Sequence, residues 1–152
     1  MTLRWSLAAL HLLALGVGLG AVWARGRALR GPLDREGAAR VLAADAWWGV
    51  AALVWIATGL WRLLAGTEKA TAYYVGNHLF WGKMALLALI LVLELRPMLV
   101  FIGWRRRLAR GTMPDPAGAG ALARISVAQA VLVVLMVVAA TGMARGYGSG
   151  PR

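Results

Sequence analysis

The sequence predicts an all-α integral membrane protein that forms a single four-helix bundle. Apolar residues make up 61% of the 152 residues and charged residues 15%, and the mean hydropathy is +0.67. A soluble domain has about 45–50% apolar and about 25% charged residues, and a soluble core of this size could not enclose so much apolar surface. The chain has no cysteine, which excludes a disulfide framework, a thiolate zinc site and a thiol nucleophile.

Four continuous apolar stretches are each long enough to cross a bilayer, which takes roughly 20 residues of helix. Only helices and closed barrels satisfy their backbone in lipid, and runs without alternation indicate helices. The predicted spans cover residues 5–24, 42–64, 79–103 and 125–144. The first span is interpreted as a retained helix and not as a signal peptide, because Trp23-Ala24-Arg25 is not a small-x-small cleavage site.

Basic residues are distributed unequally between the two ends of the predicted bundle. The connections between spans one and two and between spans three and four hold ten arginines: Arg25, Arg27, Arg30, Arg35, Arg40, Arg105, Arg106, Arg107, Arg110 and Arg124. The other end holds five basic residues: Arg4, Arg62, Lys69, Arg145 and Arg152. The positive-inside rule therefore places the Arg-rich end in the cytoplasm and both termini outside, in a bacterial inner membrane. We expect the net charge of +11 to contact anionic lipid and not nucleic acid.

Polar side chains inside the spans cost free energy unless they are paired or functional. His11 and Lys83 lie about six and about four residues into their spans from the outer side, which is nearly the same depth at about 1.5 Å per residue. A neutral imidazole ligates haem iron, and bundle cores are common haem sites. One interpretation is therefore a cofactor site between the first and third spans, with haem iron on His11 and with Lys83 as a second ligand. The alternative is that His11 hydrogen-bonds across helices and Lys83 snorkels to the outer surface.

Two carboxylates also fall within or next to the spans. Glu94 lies eleven residues after Lys83, about three helical turns, so both residues share a face that should point into the bundle. We predict that the Glu94 carboxylate has a polar partner on a neighbouring helix. Asp45 is interpreted as a residue of the first turn of the second helix, where the helix dipole favours a carboxylate. Ser126, Gln129 and Thr141 are expected to form hydrogen bonds between helices.

The segment between the second and third spans is rich in polar and aromatic residues. It contains Tyr73, Tyr74, Asn77 and His78, which are secondary candidates for cofactor binding. They would either roof the His11/Lys83 site or anchor the chain at the membrane interface.

The whole chain resembles a bacterial inner-membrane family described as a domain of unknown function, placed in the CopD-like superfamily. The resemblance rests on ordered motifs that include His11, Arg30-Gly31-Pro32-Leu33, Asp45-Ala46-Trp47-Trp48-Gly49, Thr58-Gly59-Leu60-Trp61-Arg62, Tyr73-Tyr74, Asn77, Lys83, Pro97 and Met143-Ala144-Arg145-Gly146. His11 and Trp81-Gly82-Lys83 are more distantly similar to the HemJ-type membrane protoporphyrinogen oxidases, and this resemblance implies b-type haem. The HemJ-type pattern has a histidine before the lysine, in a Trp-x-His-x-Lys arrangement, which this sequence lacks.

Three functions stay open from the sequence. The first is haem binding at His11, and the second is a non-catalytic subunit that packs against a larger membrane complex or a second copy of the chain. The third is a proton or solute conductor that uses Glu94, Lys83 and Asp45. The sequence has no phosphate-binding glycine loop, nucleophile–base pair or two-metal carboxylate set, so it does not indicate a hydrolase or kinase.

The predicted orientation can be tested by labelling. A Gly118→Cys variant of this cysteine-free chain should react with a membrane-impermeant maleimide only after the membrane is permeabilised, because Gly118 lies in an Arg-rich connection. Labelling of intact spheroplasts from the periplasmic side would contradict the orientation.

Overall fold

The computed structural model describes residues 2–65 and 71–148. Within these ranges the chain forms five helices and no β-strand: α1 (Thr2–Ala28), α2 (Arg35–Leu64), α3 (Thr71–Val75), α4 (His78–Ala109) and α5 (Ala119–Ala144). Four of them, α1, α2, α4 and α5, are long and apolar enough to cross a membrane. The predicted all-α, four-helix membrane bundle is thereby confirmed.

The four long helices continue past the predicted spans at the Arg-rich end. They reach Ala28, Arg35, Ala109 and Ala119, because hydropathy marks only the lipid-embedded part of a helix while backbone hydrogen bonding continues into polar sequence. The placements of Asp45 and of eight of the ten arginines are therefore wrong, because only Arg30 and Arg110 lie in connections and the other eight arginines lie within helices. Arg25 lies in the last turn of α1 and not in a connection, and Asp45 lies well inside α2. The N-terminus of α2 is capped by Asp34, whose carboxylate accepts the Gly37 N–H at 2.7 Å.

The helices form a ring in which α1 packs against α2 and α5, and α4 packs against α5 and, less extensively, α2. Helices α1 and α4 occupy diagonal positions, since no direct backbone packing joins them in the described part of the chain. The short helix α3 lies at the end opposite to the Arg-rich connections and contacts α2 and α4. Any group at the centre of this ring can reach all four long helices.

Two apolar clusters fill the bundle. One lies at the Arg-rich end and contains Leu29, Ala38, Val41, Phe101, Trp104, Ala119, Leu122 and Ala123. The other lies in the middle of the bundle and contains Ala21, Val22, Trp48, Ile90, Ala130, Val133 and Met136. Arg25 and Glu94 belong to neither cluster, and their positions along α1 and α4 place them between the two.

One glycine in the first turn of α2 is required by its surroundings. A Cβ atom built on Gly37 would overlap the Pro32 carbonyl oxygen and lie 3.3 Å from the Asp34 carboxylate. Gly37→Ala should therefore destabilise the protein by about 1–3 kcal/mol, as overpacking does. Tryptophan fluorescence during thermal unfolding in detergent would measure the change.

Gly20→Ala is the matched control, because a Cβ atom at Gly20 meets no atom within 4 Å. Removing a glycine from a helix interior should stabilise that variant by up to about 1 kcal/mol. Equal unfolding temperatures for the two variants would contradict the proposed overlap at Gly37.

Candidate functional site

The most completely buried charged side chain belongs to Arg25, which is 0% exposed. It projects from the last turn of α1 into the centre of the ring. Side chains in a helix lean toward its N-terminus, so the guanidinium extends from the Arg-rich end toward the middle of the bundle. A guanidinium in this position requires counter-charges and acceptors from the protein.

All five N–H donors of the Arg25 guanidinium are used. Nε donates to Ser126 Oγ at 3.0 Å. Nη1 donates to Asp45 Oδ1 and to Glu94 Oε1, both at 2.8 Å. Nη2 donates to Glu94 Oε2 at 2.9 Å and to Gln129 Oε1 at 2.7 Å. Arg25 thereby joins its own helix to α2, α4 and α5.

The Glu94 carboxylate accepts two parallel hydrogen bonds from the Arg25 guanidinium, one at each oxygen. Its Oε2 atom also accepts the indole N–H of Trp48 at 3.0 Å and the amide of Gln129 at 2.7 Å. The Gln129 amide donates in addition to the Ile90 carbonyl at 3.2 Å, which orients its oxygen toward Arg25. The structure therefore places Glu94 inside the bundle with polar partners on α1, α2 and α5.

Asp45 connects the buried arginine to the surface. Its Oδ1 atom accepts from Arg25, and its Oδ2 atom accepts from Arg105 Nη2 at 2.7 Å. The Asp45 side chain is 10% exposed and that of Arg105 is 44% exposed. Two arginines are thus matched by two carboxylates. We call this group the Arg25 cluster: Arg25, Asp45, Trp48, Glu94, Arg105, Ser126 and Gln129.

An aromatic ring closes the cluster toward the Arg-rich end. The Arg25 guanidinium carbon lies 5.6 Å from the centre of the Phe101 ring, within the range of a cation–π contact. Phe101 is itself part of the apolar cluster at that end. The ion pairs are therefore enclosed between apolar layers, where electrostatic attraction is stronger than in water.

Sequence reasoning missed Arg25 because a hydropathy boundary was drawn at Ala24. Helical spacing was the signal that could have found it. Ala14, Gly18 and Val22 recur every four residues and are buried, and the same face continues to Arg25 three residues later. Ser126 and Gln129, which we expected to join helices, do so through Arg25, whereas the Thr141 hydroxyl donates to the Val138 carbonyl of its own helix.

His11 is held by α2. Its Nδ1 atom lies 2.9 Å from Thr58 Oγ1, and its ring is 5.9 Å from that of Trp55. A Cβ atom on Gly59 would lie 3.2 Å from His11 Cε1, so the glycine leaves room for the imidazole. These contacts make a defined niche for the ring.

The Thr58 hydroxyl determines the tautomer of His11. Its oxygen lies 2.7 Å from the Val54 carbonyl and 3.1 Å from the Trp55 carbonyl, so its single proton is donated to the backbone. Thr58 must then accept the Nδ1–H of His11. The hydroxyl of Thr58 thereby orients the imidazole ring of His11 through Nδ1, as a second group commonly orients a ligating histidine.

Lys83 is half-buried and lies on α4. His11 lies on α1, so the two residues belong to helices that are diagonal and not adjacent. Next to the His11 niche, the space between α1, α2 and α5 has a volume of only about 10 Å³; it is lined by Ala14, Leu15, Gly18, Trp48, Ala51, Ala52, Trp55 and Val133. A cofactor pocket takes about 300 Å³ or more. A porphyrin does not fit in this packed region.

The secondary candidates around α3 contact the C-terminal segment. Tyr73 donates its hydroxyl proton to the Met143 carbonyl at 3.0 Å. Asn77 is buried, caps α4 by accepting the Leu79 N–H, and donates to the Tyr147 carbonyl. The exposed His78 donates its backbone N–H to the Gly148 carbonyl. Tyr74 packs against Tyr73 and Phe80. These residues fasten residues 143–148 onto the start of α4.

Comparison with known proteins gives one match. A family model described as "Predicted membrane protein (DUF2214)" matches residues 3–148. No curated protein and no solved structure matches the chain. The match supports the resemblance to a membrane protein family and does not extend to the CopD-like superfamily or to HemJ-type oxidases.

The contribution of the Arg25 cluster can be measured by substitution. Arg25→Gln should lower the free energy of unfolding by about 2–4 kcal/mol, because it leaves the partly buried carboxylates of Glu94 and Asp45 without their shared cation. Arg27→Gln removes the same charge two residues later from an exposed position and should change stability by less than about 0.5 kcal/mol. Thermal unfolding in detergent, followed by tryptophan fluorescence, compares the two.

A double-mutant cycle separates the ion pair from local packing. The double variant Arg25→Gln/Glu94→Gln should be less destabilised than the sum of its single variants, by about 1–3 kcal/mol. Strict additivity would show that the bidentate pair does not hold the bundle together.

Proposed function

This chain belongs to the family Predicted membrane protein (DUF2214), and we propose that it is a non-catalytic subunit of a larger inner-membrane complex. In this role the polar side chains between its helices maintain a rigid bundle, and its outer surface contacts the partner. The proposal concerns the partner and the role, whereas the four apolar helices and their contact with lipid are properties of the fold.

The observation that carries the proposal is the saturation of Arg25. Its five donors end on four side chains of three other helices, and the paired charges of the cluster cancel. A site that binds a charged substrate keeps donors or acceptors directed at that substrate. Here the donors of the guanidinium are directed at the protein, which is the arrangement of a clamp between helices.

The packing beyond the cluster favours a clamp over a conductor. The apolar cluster of Val22, Ile90, Val133, Met136 and their neighbours lies between the Arg25 cluster and the opposite end of the bundle. An ion or proton that moved through Glu94 and Asp45 would have to cross this layer. The carboxylates are also joined to Arg25 at hydrogen-bonding distance, which holds them in place.

Photo-crosslinking in native membranes tests the proposal. A benzophenone amino acid is placed at one exposed position on each long helix: Leu13, Val50, Leu91 and Val134. We expect one defined membrane protein to be crosslinked from one or two helices and not from the others. Position Val22, which is 0% exposed, is the matched negative control.

The identified partner is then deleted and the experiment repeated. Loss of the adduct, together with lower abundance of this protein, is the expected result. Lipid adducts alone from all four exposed positions would contradict the proposal. Proton or solute flux through proteoliposomes that contain only this protein would favour the conductor instead.

Haem binding is the second candidate, and a single observation favours it. Thr58 contacts Nδ1 of His11 and orients its ring, as a second group commonly orients a ligating histidine. The packed region next to His11 speaks against a porphyrin within the bundle, so a haem on this histidine would have to lie outside that region.

A visible spectrum distinguishes the two candidates. Under the subunit proposal the protein purified in mild detergent, after growth with added haem precursor, shows no Soret band. Under haem binding the wild type shows that band, His11→Ala abolishes it, and Thr58→Val weakens or shifts it because the ring loses its orienting acceptor. A Soret band that His11→Ala leaves unchanged would exclude His11 as the ligand.

A further inference from the structure

A second arginine lies at nearly the same depth as the Arg25 cluster but on the outside of the bundle. Arg96 follows Glu94 by two residues on α4 and is exposed. Its neighbours Leu95 and Leu99 on the exposed surface are 56% and 67% exposed, so this surface of the helix contacts lipid. Arg96 is seven residues inside the predicted end of the span at residue 103, which corresponds to about 10 Å along the helix.

The charge of Arg96 is not compensated within the protein. Among residues 2–65 and 71–148, Arg96 makes no hydrogen bond and no ion pair. Asp115 precedes the start of α5, but its carboxylate accepts the Ala117 backbone N–H. A charged side chain at such depth pairs with a counter-charge or extends to the interface. The described residues supply no counter-charge for Arg96, so the surrounding lipid is the remaining source of one.

The direction of the side chain shows where that counter-charge lies. Arg96 Nη2 is 4.0 Å from the position of a Cβ atom on Gly118, so the guanidinium lies next to the start of α5, at the Arg-rich end. Gly118 precedes α5 and provides no side-chain cap, and the first turn of α5 has no acidic residue. The partial positive charge of that helix end adds to the charge of Arg96 and does not compensate it.

We propose that the surface between α4 and the start of α5 binds the phosphate of an anionic phospholipid, with Arg96 as its principal cation. The lipid belongs to the leaflet at the Arg-rich end, where basic pockets between membrane helices bind acidic headgroups. Its acyl chains lie along the apolar surface that contains Leu95 and Leu99. The guanidinium matches the geometry of a phosphate, to which it can donate two parallel hydrogen bonds.

Native mass spectrometry of the whole protein tests this site. The protein is released from nanodiscs that contain equal amounts of phosphatidylglycerol and phosphatidylcholine, and the retained lipids are counted. Wild type should retain phosphatidylglycerol preferentially, and Arg96→Gln should reduce that preference about fivefold, as expected for the loss of one basic residue near acidic lipid. Arg96→Lys keeps the charge and should retain part of the preference.

Arg106→Gln is the matched control, because Arg106 is exposed on the same helix and its loss changes the net charge equally. The control variant should reduce the preference for phosphatidylglycerol clearly less than Arg96→Gln does. Equal retention by Arg96→Gln and Arg106→Gln would show general attraction to a basic surface and overturn the proposal, as would equal retention of both lipids by wild type. Displacement of the lipid by millimolar inorganic phosphate would assign the site to free phosphate instead.

Discussion

The structure depends on the neutralisation of one buried guanidinium. Removing an arginine from water costs several kcal/mol even after the protein relaxes, and this cost is offset only when every partner is in position. In a membrane the hydrophobic effect does not drive helices together, so packing and polar contacts determine which helices meet and at what height. Arg25 donates hydrogen bonds to Asp45 on α2, to Glu94 on α4, and to Ser126 and Gln129 on α5. One residue thereby determines which helices are neighbours and how they are aligned along the bundle axis.

Glycines on α1 allow the close approach of helices that the Arg25 cluster requires. A Cβ atom on Gly26 would lie 3.3 Å from Ser126 Cβ, and one on Gly18 would lie 3.4 Å from Ala51 Cβ. The absence of these side chains lets α1 approach α5 on one side and α2 on the other. Because Gly26 is adjacent to Arg25, the close approach to α5 occurs where Nε reaches Ser126. Apolar packing and the ion pairs therefore support the same alignment and are not independent contributions.

Hydropathy was sufficient to predict the four spans, because it measures the property that lipid selects. Hydropathy could not predict the Arg25 cluster. A basic residue at the end of an apolar run has the same hydropathy whether its side chain extends into solvent or, as with Arg25, into the bundle. The interior position of Glu94 followed from its spacing to Lys83, but its partner lies 69 residues away in sequence, and no local pattern encodes that separation. The contact between His11 and Thr58 could not be predicted for the same reason, because the two residues are 47 positions apart in sequence.

Arg25 and Arg96 both lie near the depth of Glu94, but the charge of Arg25 is compensated within the protein and that of Arg96 is not. The Arg25 cluster has two cations and two anions within hydrogen-bonding distance, so a transmembrane potential exerts little net force on it. This property suits a static clamp and is the reverse of a voltage sensor, which carries uncompensated charge through the field. Arg96 retains a full positive charge on the lipid-facing surface. The charges of the Arg25 cluster are therefore compensated within the protein, and the charge of Arg96 interacts with the surroundings of the bundle.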